Sequence, residues 1–581
     1  MANFQYRWKS KKLREHVSVI NGDIPPTIVL QNATYLNVHV NAWLKANIWV
    51  YEDRIVYVGD ELPSETKGTE IVDCSSFFIV PGYIEPHVHP FQLYNPHSFA
   101  QYASQSGTTT IVNDNLMLAL HLTKKKAFTF LDEMKKSPVT MYWWCRFDAQ
   151  TEIRNEEEVF TTSNIKSWLD HETVIQGGEL TCWPKVVAGD DIILHWMQEA
   201  KRRNKPIEGH LPGASEKTLV KMKLLGVDSD HEAMTGSDVK KRILQGYTTP
   251  LRYSSIRPDL PTILEELEQS DFHYYDQAFF TTDGSPPSFY QGGIINRLIA
   301  IALEQGIDPI NAYKMASFNA AKHFKVEHIH GSASTGRIAN LNILTDINNP
   351  TPIAVLANGK WVKKEGKLVE SAFAQVNWDM LGLSKLNLDW DLCMDDLQFS
   401  MALGLSMVND VILKPYSVLV DVSGEELAID DDQSFLMLMD RHGKWRINTI
   451  IQGFDRGIGG LVSSYSNTGD IVIIGKNKND MIVAFSRMKE LGGGMVLVEN
   501  GEVITEIPLP LDGVMSQKNL EELIVEEENM RSELFARGYS FTDPIYTLLF
   551  LSSTHLPYIR ITPRGIYDVM NKTVLFPSIM R

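Results

Sequence analysis

Through the middle of the chain, short apolar runs alternate with stretches in which apolar positions recur every three or four residues. "GTTTIVND" precedes "LTKKKAFTFLDEMKKS" and "VTMYWWC", and "AFFTTDG" precedes "GGIINRLIAIALEQG". The first pattern predicts buried strands and the second amphipathic helices. Their alternation over residues 80–335 has the length and texture of a (β/α)8 barrel, with an open doubly wound sheet as the alternative. From Thr27 to Ile79 the texture is short β-rich runs and turns, with Glu52-Asp53 placed as a hairpin turn in "KANIWVYEDRIVYVGD". It returns at 341–370, where Glu365-Gly366 is a second turn.

The pattern therefore divides the chain into an N-terminal extension (1–26), a small β domain built from both flanks (27–79 and 336–375), the barrel (80–335) and an α/β domain (380–581). A length of 581 residues requires several cores, and 44% hydrophobic with 22% charged residues is the composition of a compact globular protein. A net charge of −17 argues against nucleic acid, and Lys124-Lys125-Lys126 reads as a solvated helix face. No run of about 18 apolar residues is present, so no membrane partner is expected. Cys74, Cys145, Cys182 and Cys393 lie far apart in no metal-finger or redox spacing, which suits a reducing cytoplasm.

The candidate chemistry begins in "FFIVPGYIEPHVHP". His87 and His89 follow an apolar run, and residues two apart on a strand share a face, so both imidazoles can converge on one ion. In a barrel, further ligands belong at the C-terminal ends of other strands, about 25 to 35 residues per βα unit apart. Glu179, His210, His231 and Asp283 follow at intervals of 92, 31, 21 and 52 residues, which places the six groups on strands 1, 4, 5, 6 and 8. Singly each has an ordinary explanation: Glu179 as a loop carboxylate, His210 and His231 as surface histidines, Asp283 as a turn residue before Gly284. The ordered spacing favours a metal site.

That order of ligand types resembles the amidohydrolase superfamily, and the adenine deaminase family is the closer match. "PGYIEPHVH", "GTTTIVND", "GHLP", "SDHE" and "ASFNAA" are similar to motifs of that family. So are "MDRHG", "GKNKNDM", "GGG" and "LPLPLDGVM" in the C-terminal region, so that the resemblance spans roughly residues 27 to 560. It implies a TIM-type barrel with a small β-sandwich from both flanks and a C-terminal α/β domain. It implies two divalent ions, manganese or iron before zinc, held by His87, His89 and Asp283 and by His210 and His231, with Glu179 bridging. Asp283 is then the catalytic proton acceptor, Glu232 beside His231 either hydrogen-bonds or protonates a ring nitrogen or merely steadies the histidine, and Asp114, Gln92 and Arg252 are the candidates for substrate binding.

The implied activity is hydrolytic deamination of adenine, a small-molecule substrate, by an enzyme that could form homo-oligomers. The alternatives are another amino-heterocycle, a cyclic amide, or a relative without turnover. The chain departs from the family at Phe91, Leu93, Leu116 and Met117, which replace polar groups. If these line the pocket, weak adenine turnover or a preference for a less polar or substituted amino-heterocycle is expected.

Overall fold

The computed structural model describes residues 8–429 and 431–581. The first seven residues of the expected N-terminal extension lie outside the described residues. The remainder of that extension includes a helix, Ser10–Ile20, whose Val19 packs against Val29, Trp49 and Val56.

The two β-rich flanks meet in one nine-stranded sheet. The strand Phe78–Pro81 runs parallel to Ile28–Asn37 on one side and antiparallel to Leu341–Leu344 on the other, which joins the segments before and after the central domain. The two expected turns are present: Glu52 (φ 53°) links Ala42–Tyr51 to Arg54–Gly59, and Glu365-Gly366 (φ 49° and 77°) links Lys360–Lys364 to Lys367–Leu368. Positive φ at both central residues of the second turn gives the twist that a two-residue hairpin needs.

The central domain contains eight strands, numbered here β1 (Tyr83–Val88), β2 (Thr108–Asp114), β3 (Thr140–Cys145), β4 (Val174–Leu180), β5 (Ile207–Gly209), β6 (Ser229–Asp230), β7 (Thr249–Arg252) and β8 (Ala278–Thr281). β1 to β6 form one parallel sheet in chain order, and β7 and β8 form a parallel pair. A bridge from Ser229 to Thr248 connects β6 to the start of β7. Between β8 and β1 the link is a buried side chain: Glu85 accepts from Thr281 Oγ1 (2.8 Å), Thr282 N (3.0 Å) and Thr282 Oγ1 (2.7 Å). This is the order of a TIM-type barrel.

Helices cover the outside of the strands. In Asp191–Arg202 the buried residues Ile193, Trp196, Met197 and Ala200 recur at helical spacing, and Asp190 caps the backbone of Ile192 and Ile193 at 3.0 Å. The C-terminal region holds a second nine-stranded sheet with the helices Lys478–Leu491 and Leu520–Ala536. A short helix, Pro544–Phe550, and the segment after it reach over the C-terminal mouth of the barrel. No helix among the described residues is long and apolar enough to cross a membrane.

Candidate active site

All six ligand-type residues come together at the C-terminal ends of the strands. His87 lies on β1 and His89 just beyond it, Glu179 on β4, His210 after β5, His231 after β6 and Asp283 after β8. The backbone is held out of its ordinary range at the last of these. Asp283 has φ 52°, and a Cβ on the following Gly284 (φ 22°) would stand 2.8 Å from the Cβ of His89. Glycine thus lets β8 close on β1, and the strained aspartate is of the kind found where a site dictates geometry.

Asp283 Oδ1 is 3.1 Å from His89 Nε2 and 3.5 Å from His87 Nε2, while Glu179 Oε2 is 3.8 and 3.9 Å from the same two atoms. The other oxygen of Glu179, Oε1, is 2.8 Å from His210 Nδ1 and 3.5 Å from His231 Nε2. Two sets able to hold an ion share Glu179: His87, His89 and Glu179, and Glu179, His210 and His231. His87 Nε2 is buried and has no hydrogen-bond partner, and Glu179 Oε2 is met only by the Arg146 Nη2 ion pair at 2.7 Å. Buried polar atoms left in this state are costly unless something occupies the space between them. The donor set of imidazoles and carboxylates fits a pair of divalent ions.

A layer of carboxylates turns the imidazoles inward. Glu208, on β5, accepts from His87 Nδ1 (2.9 Å) through Oε2 and from His231 Nδ1 (3.1 Å) through Oε1, and Gln176 Nε2 supports it at 2.9 Å. Asp114 accepts from His89 Nδ1 (2.8 Å), from Arg146 Nη2 (2.6 Å) and from the backbone of Leu116 (2.8 Å). Trp144 stacks on His87 with ring centres 4.3 Å apart. Such partners fix which ring nitrogen is free, as they do for histidines that ligate metals.

On the other side of the cluster, Arg252 Nη1 donates to Glu232 Oε1 (2.7 Å) and to Asp283 Oδ2 (2.6 Å), and Arg257 reaches Glu232 Oε2 at 3.1 Å. Burial alone would raise Asp283, Glu232 and Glu179. Arg252 with the neighbouring histidines reverses this for the first two, and Arg146 with His210 and His231 for the third, so that all three lie well below the usual carboxylate range.

Residues 78–362 match the amidohydrolase family and residues 411–573 match the adenine deaminase C-terminal domain. The chain is 56% identical to "Putative adenine deaminase BH0637" of Halalkalibacterium halodurans and 55% identical to "Putative adenine deaminase YerA" of Bacillus subtilis, over the full length of both partners in each case. The chain belongs to the adenine deaminase family. A more distant member, named adenine deaminase, from Kosmotoga olearia is 25% identical over 96% of this chain and 97% of its own.

The C-terminal domain of this family member completes the pocket. A cavity of about 200 Å³ lies over the cluster, and Tyr465, Asn467, Tyr546, Phe550 and His555 form part of its wall. Two phenols fasten this wall to the barrel: Tyr465 donates to Gln92 Oε1 and Tyr546 to the carbonyl of Gly284. Gln92, Asp114 and Arg252 all line the cavity. So do Phe91, Leu116 and Met117. Leu93 does not line it and is instead fully buried in the core, with φ 68° and its carbonyl accepting from Ser516 N.

Sequence reasoning missed Glu208, Arg146, Trp144 and the C-terminal wall. Glu208 carried a signal, because it stands two residues before His210 and therefore shares its strand face. Trp144 and Arg146 stand two residues apart at the end of β3 in the same way. Tyr465, Tyr546 and His555 come from distant segments with no common period.

Proposed function

We propose that this protein is a metal-dependent aminohydrolase converting adenine, or a closely related 6-amino-heterocycle, and water to hypoxanthine, or the corresponding oxo product, and ammonia. The observation that carries this reading is the convergence of four imidazoles and two carboxylates, with His87 and His231 turned toward the cluster by the same buried Glu208.

His87, His89 and Asp283 would hold one divalent ion and His210 and His231 another, with Glu179 between them. Bound there, the pair supplies Lewis acidity that makes a water acidic near neutral pH and positive charge that offsets charge developing on the substrate. The family resemblance favours manganese or iron, and zinc also suits the mixed oxygen and nitrogen ligands.

Asp283 is the proton acceptor in this reading. Arg252 occupies Oδ2, which leaves Oδ1 facing the histidines in ionised form. It takes a proton from the attacking water and passes it to the leaving nitrogen. A C–O bond forms at the amidine carbon as the C–N bond breaks. One proton of the water ends on ammonia and the other on the ring nitrogen of the product. Glu232, kept ionised by Arg252 and the neighbouring histidines and hydrogen-bonded by Arg257, accepts the hydrogen bond of that ring N–H.

Asp114 and Gln92 would position the substrate from the β1 and β2 side, Asp114 also acting through His89. All four cysteines are unpaired, which supports a cytoplasmic setting. Ammonia release from adenine by the purified protein, with and without added manganese, tests the reading. Turnover with adenine supports it, and a protein that is metal-loaded but inert toward every amino-heterocycle and cyclic amide overturns it.

A further inference from the structure

His555 belongs to none of the groups assigned above, yet it reaches the catalytic cavity from the C-terminal domain. Its ring stands edge-on to that of His210, with centres 5.4 Å apart and planes at 87°, and its far side packs against Phe550 at 5.8 Å. The imidazole is held by the barrel. Gln150, in the loop after β3, has φ 61°, and its carbonyl accepts from Thr554 N at 3.0 Å and from His555 Nδ1 at 3.4 Å. Thr151 Oγ1 donates to the carbonyl of Ser552, and Asn467 Nδ2 to Ser553 Oγ, so the segment 552–555 is fastened along its length.

A carbonyl can only accept, so the contact with Gln150 places the proton of His555 on Nδ1. In the neutral imidazole the remaining ring nitrogen, Nε2, is then an acceptor. The neighbouring wall groups Phe550, Leu549 and Leu556 offer no hydrogen bonds. A fixed acceptor at the edge of a small cavity, with His210 and Gln150 on one hand and Leu549, Phe550 and Leu556 on the other, has the form of a specificity element: it rewards a ligand that presents an N–H there and penalises one that does not.

We propose that His555 is a specificity-determining residue that accepts, through Nε2, a hydrogen bond from a ring N–H of the bound heterocycle. This inference rests on the proposed function for the identity of the ligand class. His555 takes no part in the proton transfers assigned to Asp283.

Equilibrium binding of hypoxanthine and its 1-, 3-, 7- and 9-methyl derivatives tests it without requiring turnover. The wild type, His555→Leu and His555→Gln are compared by titration calorimetry, with ammonia release from adenine measured on the same preparations. In the wild type, methylation at the nitrogen read by His555 should weaken binding between about 5- and 100-fold, the range for one unmade buried hydrogen bond. In His555→Leu the parent base should bind more weakly by a similar factor and the penalty for that methyl should vanish. His555→Gln, whose amide oxygen can accept, should restore part of the penalty.

Methyl penalties that are the same in all three proteins overturn the inference even if adenine is deaminated. A His555-dependent penalty in a metal-loaded protein that releases ammonia from no amino-heterocycle sustains the inference and sinks the proposed activity. A wild type that binds none of the bases overturns the inference, and ammonia release alone then decides the activity.

Discussion

The imidazoles of His87 and His231 lie 4.4 Å apart, ring centre to ring centre, and are both anchored by the single carboxylate of Glu208 at 2.9 and 3.1 Å. One side chain thereby sets the direction of ligands contributed by strands β1 and β6. Glu208→Gln replaces one accepting oxygen with an N–H donor, which cannot pair with both Nδ1–H groups. Metal affinity should fall about 10- to 100-fold, with activity falling in step and far-ultraviolet circular dichroism unchanged. Wild-type metal affinity in this variant would remove Glu208 from the site.

Asp283→Asn separates binding from proton transfer. The amide retains an oxygen for a cation but cannot take up a proton at neutral pH. Turnover should disappear while the fold and at least one bound ion remain. Near-normal activity would take Asp283 out of the proposed role.

Phe91, Leu116 and Met117 leave the wall over the cluster apolar where the family resemblance implies polar groups. An absent buried partner costs a ligand that needs it roughly 1 to 3 kcal/mol, a factor of about 5 to 150. In a panel of adenine, substituted adenines, other amino-heterocycles and cyclic amides, adenine should therefore fall behind a less polar or substituted amino-heterocycle in kcat/KM. Adenine heading the panel at an ordinary 10⁴ M⁻¹s⁻¹ or more, about the lower range for enzymes, would contradict this.

The convergence of the six candidate ligands was legible in the sequence because barrel geometry imposes a repeat on them. His87 and His89 share a strand face, and Glu179, His210, His231 and Asp283 recur at multiples of one βα unit. The joining of the flanks was legible from their matching texture, and the pairing of Phe78–Pro81 with Leu341–Leu344 is its physical basis. The pocket wall was not. Leu93 looked like a neighbour of the cavity because it follows His89 closely, but its left-handed backbone turns it into the core. His555 and Tyr546 reach the site only through the packing of a separate domain onto the barrel, and chain spacing carries no record of that.

Asp470 is buried at the end of the loop that carries Tyr465 and Asn467. Burial pushes its carboxyl up to about 7, from an unfolded value near 4. Between those values the folded state holds a proton that the unfolded chain has released, so stability falls as pH rises from about 4 to about 7 and the loss is complete above 7. Asp470→Asn removes this dependence. It should be more stable than the wild type at pH 8, by roughly 2 to 4 kcal/mol, with the gap shrinking steadily toward pH 4. Urea unfolding at pH 5 and 8 measures it, and an equal difference at both values would show that Asp470 does not titrate in this way.

If this cluster is a two-ion hydrolytic site, metal content and activity must rise and fall together. Protein produced in metal-replete medium should carry close to two divalent ions per chain by elemental analysis. Chelation should remove ammonia release and readdition of manganese or iron should restore it, while His210→Ala should lower metal content and activity together. Full activity from protein that holds no divalent ion would contradict the account.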